Sequence, residues 1–411
     1  MSASTAPFTS PEGASERVGG TLPRWVSVVT HTDPRYGGLS TAVPRSGMAA
    51  MGTGLVDVSL AAFCVPEEHI APPGYDGEHL SFWPAARGPW LTSSSLRRRF
   101  STLIRAFDGV HIHGLWEAST AMASRTARST GRPYIVSAHG MLEPWALANK
   151  RLKKLLYAGL VERNVVAHAA CLHALTYAEA EQYRAFGARA PIAVIPNAVA
   201  VPPDLSSRLF FSAYPQLSGH RLVLFLGRLH PKKGLDLLAK AWSHISHSHP
   251  DAHLVLAGPD AEGTADRFGA VLEAAKLANT VTFTGMLDES MKWSALAAAE
   301  CFVLPSFSEG LSMGVLEAMG AGVPVIVTRN CNMPEVLDVD AGWVIAPDAA
   351  ELQQALEAML GAEPQENRAK GAHGARLITN RYNARHVAQQ TAEVYEYVRN
   401  GIPPVSADLL L

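Results

Sequence analysis

The chain has 411 residues, with 35 Lys plus Arg against 37 Asp plus Glu and a formal charge of −2. So even a balance excludes a protein that binds by wrapping a polyanion, and nucleic acid is not expected as a partner. At 48% hydrophobic and 18% charged the composition is globular, and no apolar run approaches the roughly 20 residues of a bilayer crossing.

The first 22 residues are rich in Ser, Thr, Pro, Gly and Glu and lack the apolar centre of a secretory signal, which predicts a disordered tail. Short apolar runs follow at 25–29, 55–60, 109–112, 134–137, 174–176 and 192–195, each separated from the next by helical patterns. That alternation predicts parallel strands joined by crossover helices. Residues 201–220 contain Pro202, Pro203, Pro215 and paired serines and are expected to be a linker. A second set of strand candidates covers 222–226, 253–256, 281–283, 301–304 and 323–328. Both halves therefore read as α/β. In 384–398, Val387, Thr391, Val394, Tyr395 and Val398 fall on one face of an amphipathic helix. The chain after Asn400, with Pro403 and Pro404, is expected to be disordered. Cys64, Cys171, Cys301 and Cys331 form no CxxC pair, a usage that suits a reducing cytoplasm.

The sharpest chemical pattern follows the strand candidate at 301–304. Glu309 and Glu317 stand eight positions apart, Gly310 gives a turn, Ser312 is placed to cap, and 313–319 reads as a helix. Glu309 then lies in a loop and Glu317 one turn inside the helix. A loop carboxylate can hold sugar hydroxyls, a helix carboxylate a ribose diol, and the free N–H groups of 311–313 an anion. The plain alternative is two solvated acids. The second pattern is the strand candidate at 222–226 followed by Gly227, Arg228, Lys232, Lys233 and Gly234. Arg228 and Lys233 at a strand-to-helix turn suit a diphosphate held by side chains, because the glycine cradle of a Walker loop is missing. In the first half, Gly37 and Gly38 follow the first strand candidate and allow close backbone approach. His-Gly pairs at 113–114 and 139–140 lie just past buried strands, where open α/β sheets bind ligands. His139 is the preferred catalytic histidine, and His111 is taken as structural.

With these residues the chain resembles the retaining glycosyltransferases of family 4, which have the GT-B fold: two doubly wound Rossmann-like domains facing an interdomain cleft. The resemblance extends over about residues 25 to 400. Glu309 and Glu317 match the family's paired glutamates, Arg228 and Lys233 its basic pair, Gly37 and Gly38 its glycine loop, and His139 its active-site histidine. The motif at 281–287 matches a loop that meets the nucleotide base, which implicates Met286, while Gly227, Gly310, Leu311, Ser312 and Met313 complete the donor side. Leu311-Ser312 replaces the Phe-Gly of many members. The form HGMLEPWAL at 139–147 is similar to the branch that builds bacterial surface polysaccharides.

The resemblance implies an acceptor-side domain at 23–203, a nucleotide-sugar domain at 204–383, and a helix at 384–400 that returns to the first. It implies transfer of a hexosyl unit from a UDP- or GDP-linked donor to a saccharide or lipid-linked saccharide, with retention. It also implies that closure places a charged, hydrogen-bonding His139 beside the sugar. No cofactor or metal is expected, because the basic pair serves the diphosphate. Asp338 and Asp340 lie beyond the last strand candidate and read as surface acids. Two rivals remain: a sugar-nucleotide epimerase of the same fold, and a hydrolase in which Gly310 to Gly314 spells GxSxG around Ser312, with His373 or His386 downstream. A basic, leucine-striped helix at 148–164, aided by Arg97, Arg98 and Arg99, would let a cytoplasmic enzyme rest on an anionic membrane face.

Overall fold

The computed structural model describes residues 21–411 apart from 34–35, 37, 86–92, 145–156, 261–262 and 275–276. The amino-terminal tail, Gly37 and most of the basic segment at 148–164 lie outside the described residues.

The first half builds one sheet from β1 Arg24–Val29, β2 Asp57–Phe63, β3 Leu80–Trp83, β4 Gly109–His113, β5 Tyr134–Ser137, β6 Cys171–Ala174 and β7 Ile192–Val194. The second builds another from β8 Arg221–Leu226, β9 Ala252–Ala257, β10 Val281–Gly285, β11 Cys301–Leu304, β12 Val325–Thr328 and β13 Gly342–Ile345. A last short strand, β14 Asp408–Leu410, joins the first sheet. The orders are β14-β7-β6-β5-β4-β1-β2-β3 and β10-β9-β8-β11-β12-β13. Neighbouring strands are parallel except β14 with β7. Each half is thus doubly wound, and each reverses direction once, between β1 and β4 and between β8 and β11. The central strands β4, β5 and β11 are buried at every residue, as strands covered on both faces must be.

Four sequence expectations change. The strand expected at 174–176 is β6, three residues earlier, and Thr176 instead caps the next helix by accepting from Glu179 N. The strands β3 and β13 are additional: both are four-residue edge strands with half-buried residues, the apolar residues of β3 being interrupted by Ser81 and those of β13 amounting to only Trp343, Val344 and Ile345. Asp338 and Asp340 therefore precede the last strand of their sheet, although both are exposed as expected. The stretch read as a linker is folded from Arg208–Ala213 onward, because Phe210 (1% exposed) and Leu217 (0%) enter the second core. The tail after Asn400 is ordered. Its prolines follow a helix already ended by Gly401 at φ 74, and the chain then pairs along the otherwise open amides of β7, Leu409 facing Ala193.

The helix Ala384–Asn400 packs on the first sheet. Tyr395 stacks on the fully buried Trp25 with ring centroids 4.2 Å apart, and its hydroxyl lies 2.8 Å from His111 Nδ1. Tyr395→Ala should cost about 3 to 5 kcal/mol, the range for losing a large buried aromatic, read by chemical denaturation of the full chain. A loss below about 1 kcal/mol, no more than one ordinary hydrogen bond, would show that this helix is not anchored through its tyrosine.

Candidate active site

The carboxyl ends of the strands flanking the second reversal carry the basic and acidic motifs. Beyond β8 come Gly227, Arg228 and the turn Pro231–Lys233, closed by Gly234 at φ 71. A Cβ on Gly234 would lie 2.0 Å from the Pro305 carbonyl oxygen, so only glycine lets this turn seat against the loop after β11. Phe307 N donates to Lys232 O at 2.8 Å across the same seam. Lys233 Nζ then reaches Glu309 Oε1 at 2.6 Å, and Ser306 Oγ donates to that oxygen at 2.6 Å. The two charged side chains are only 17% and 10% exposed. Lys232 feels the charges of Glu309, Glu143, Lys233 and Arg228, and burial lowers its ammonium below the usual lysine value.

Glu309 leads into the helix Met313–Gly320, with Leu311 and Ser312 buried at its start. Ser312 occupies the N-cap position without making the expected side-chain cap, so the first-turn N–H groups are not taken up by its hydroxyl. Glu317 accepts from Lys292 Nζ at 2.6 Å. Lys292 also binds Glu289 at 3.1 Å, and Glu289 accepts at 2.8 Å from Arg45 of the first half. Burial raises the Glu317 carboxyl, opposed by Lys292. Met286 follows β10 and is 56% exposed. The hydrolase constellation is not assembled: His373 pairs with the Asp340 carbonyl and His386 begins the helix Ala384–Asn400.

The facing wall comes from the first half. Past β5, His139 and Gly140 both adopt left-handed backbone, φ 53 and 75. Gly140 N and Leu175 N each donate at 2.6 Å to the buried carboxylate of Glu179, which fixes the loop from behind. His139 Nε2 and His113 Nδ1 share a hydrogen bond at 3.0 Å. His113 lies against His111 with ring centroids 4.0 Å apart, and Ser137 Oγ joins His111 and His173 at 2.7 Å each. Burial, then the neighbouring His173, pushes His139 down to about 3, and burial holds His111 and His113 well below the usual imidazole value. A charged His139 was expected. In this core burial instead favours the neutral ring.

The two walls touch. A Cβ on Gly140 would lie 2.8 Å from Gly310 Cα, and one on Gly310 would lie 3.1 Å from Gly140 Cα. Glu143 bonds Ser308 and, at 2.8 Å, Asn332 Nδ2. The structure thus brings Lys233, Glu309, Gly310 and the His139–Gly140 loop together, with the Arg228 charge beside Lys232. Among the described residues no contact places Met286 or Gly38 in that group; Gly38 opens the helix Leu39–Gly52, and a Cβ there would meet no described atom within 4 Å. Sequence reading missed Glu143, Glu179, Ser306, Ser308 and Asn332. Glu143 sits inside the HGMLEPWAL motif, but nothing local tells that its partner stands 165 residues away.

Residues 24–198 match the model for a glycosyl transferase 4-like domain, and residues 220–362 match that for glycosyl transferases group 1. The chain is 26% identical, over 83% of its length and 89% of the relative's, to a GDP-mannose-dependent monoacylated alpha-(1-6)-phosphatidylinositol monomannoside mannosyltransferase of Corynebacterium glutamicum. Its fold is similar to that of a sucrose-phosphate synthase from Thermosynechococcus elongatus, with TM-score 0.75, 19% identity, and 92% and 100% of the two chains covered. It is similar also to the Anabaena protein HepE in complex with UDP and glucose, with TM-score 0.73, 17% identity, and 91% and 99% covered.

The neutral histidines give a direct test. The imidazole resonances of His111, His113 and His139 should not titrate between pH 8 and 5, because each ring would have to charge inside the core. A midpoint above pH 5 at His139, followed by NMR, would restore a charged role for it.

Proposed function

Because the chain belongs to the GT4-type glycosyltransferases, we propose that it moves a hexosyl unit from a UDP- or GDP-linked donor to a saccharide or lipid-linked saccharide acceptor. On this reading the anomeric configuration is retained and the product feeds surface polysaccharide. The observation that carries the reading is the Lys233–Glu309 pair at 2.6 Å, set against the His139–Gly140 loop across the cleft. A lipid-linked acceptor draws support from the phosphatidylinositol-mannoside relative. That relative uses GDP-mannose whereas HepE is in complex with UDP, so both bases stay candidates.

In this mechanism the second half holds the donor. Arg228 can fork to two diphosphate oxygens, and Lys233 exchanges Glu309 for the arriving phosphate. The uncapped N–H groups at Leu311, Ser312 and Met313 add dipoles aimed at the same oxygens. Glu309, released from part of its ion pair, fixes sugar hydroxyls, and its charge favours the cation-like ring that forms as the glycosidic bond breaks. Glu317 binds the ribose diol while sharing Lys292, and Met286 lies beside the base. Gly227 and Gly310 keep the floor free of side chains, and Gly37 and Gly38 let the first half approach the phosphates. The neutral His139 orients sugar or acceptor by hydrogen bonding. The diphosphate leaves on side-chain cations, so no metal is required.

No helix among the described residues is long and apolar enough to cross a membrane. Contact with an anionic membrane face would use Arg97, Arg98 and Arg99, which are exposed on the helix Ser94–Arg105 while Phe100 and Ile104 turn to the core. Each basic residue near such a surface contributes about 1 kcal/mol, so binding should be lost in high salt.

A thermal-shift screen of nucleotide sugars identifies the donor. Arg228→Ala should then weaken nucleoside diphosphate binding roughly tenfold to more than a hundredfold, the loss of one charge-assisted contact. Unchanged UDP and GDP affinity in that variant would overturn its role. Glu309→Gln should lower turnover by about thirtyfold to a thousandfold, about 2 to 4 kcal/mol of transition-state stabilisation. Full activity with the true donor and acceptor would show the carboxylate wrongly assigned.

A further inference from the structure

Glu143 belongs to the first half, three residues beyond Gly140, yet both of its carboxylate oxygens are committed to the second. Oε1 accepts from Asn332 Nδ2 at 2.8 Å, and Oε2 meets the Ser308 hydroxyl. Glu143 is 4% exposed and Ser308 3%, so neither can trade its partner for bulk water. Asn332 is the pivot. It holds left-handed backbone at φ 55, and the same Nδ2 lies 2.6 Å from Glu309 O and 3.3 Å from Gly310 O. Glu309 N in turn donates to Asn330 O at 2.9 Å. The backbone of the Glu309 loop is therefore held by the segment 330–332, and that segment is held by a carboxylate from across the cleft.

We propose that Glu143 is a positioning residue that clasps the two halves, acting through Asn332 and Ser308 to bring the Glu309 loop into register with the His139 loop. The proposal rests on the glycosyl-transfer reading of this cleft and adds to it the device that sets the closed geometry. Glu143 itself reaches no donor-side group assigned above. It acts on the backbone to which Glu309 and Gly310 belong, where the Gly140–Gly310 contact leaves no slack for misplacement.

The charged groups facing Glu143 are Lys232 from the turn Pro231–Lys233, Glu309 from the loop after β11, and Glu179 from the helix Tyr177–Phe186. Burial pushes the Glu143 carboxyl up to about 7, against Lys232 and Asn332, while Glu309 and Glu179 add to the rise. A carboxyl raised in the closed state favours closure when protonated. Its contribution is complete below the ordinary value near 4.5 and is lost as pH rises through about 7.

The test compares Glu143→Ala, Glu143→Gln and Asn332→Ala in the full chain, by steady-state kinetics, calorimetric titration with UDP and GDP, and small-angle X-ray scattering. Glu143→Ala and Asn332→Ala should each lower kcat about tenfold to a hundredfold while nucleotide affinity stays within about threefold, because the lost contacts position the reacting loops rather than bind the donor. Both should enlarge the radius of gyration, and the double variant should be no worse than either single one, as for two residues acting through one contact. Glu143→Gln can still accept from Asn332 and donate to Ser308. It should stay within about threefold of the parent at pH 6 and lose the parent's pH dependence between 6 and 8, since it cannot ionise. Parent-like kcat and scattering in Glu143→Ala would overturn the clasp, and so would losses that multiply in the double variant. Should Glu143→Ala lose its fold by circular dichroism, Asn332→Ala decides alone. If the parent itself binds no nucleoside diphosphate, the glycosyl-transfer reading fails, and the scattering comparison still decides the clasp.

Discussion

Lys233 and Glu309 hold each other at 2.6 Å in a corner that water barely reaches, and the loops on both sides of the cleft are arranged around that contact. Taking two charges out of water is costly, and a pair withstands it only when geometry and extra hydrogen bonds compensate. Ser306 supplies one such bond to the same oxygen, and the turn closed by Gly234 presses the lysine against its partner. Removing either charge would leave the other stranded. On the proposed mechanism an arriving diphosphate brings its own negative charge to the lysine and frees the carboxylate for a neutral sugar.

The opposite wall is built on another principle. Four histidines lie within one buried network, and if they were charged they would repel one another as well as resist burial. A neutral ring can both donate and accept, so Ser137, Tyr395 and the Ile195 carbonyl tie His111 and His173 together, while His113 packs on His111 and bonds His139. Through Tyr395 the helix Ala384–Asn400 becomes part of that network. Its anchoring and the orientation of a cleft residue are thus linked by hydrogen bonds as far as His111, and from there by the His111–His113 ring contact to the bond with His139. The Lys233–Glu309 ion pair sits on one side of the cleft and the histidine cluster on the other.

Local sequence determined a great deal here. Apolar runs too short for helices announced the central strands, and the spacing of Glu309, Glu317, Arg228 and Lys233 announced a polar edge, because hydrophobic period and turn chemistry act over a few neighbouring residues. β5 and β11 fall where the apolar runs predicted them, residue for residue. Edge strands β3 and β13 escaped, since a half-buried four-residue strand is defined by the neighbour it pairs with. The tail forming β14 escaped for the same reason: its partner β7 is more than 200 residues earlier, and prolines near Gly401 mark where a helix stops, not whether the chain beyond finds an edge.

What only the tertiary structure decided is which of these groups meet, and in what state of charge. The sequence offered His139 as a catalytic histidine but not its surroundings: burial, with His173 nearby, disfavours its charged form, and burial is a property of the assembled core. It offered Glu143 as one letter of a motif, and gave no sign that Asn332 would take left-handed backbone and bridge that carboxylate to the Glu309 carbonyl. Such contacts join residues separated by more than 160 positions, so no periodicity or propensity encodes them. They arise because two parallel sheets each present their strand ends to the same cleft, where the backbones of Gly140 and Gly310 come close enough to exclude a single carbon.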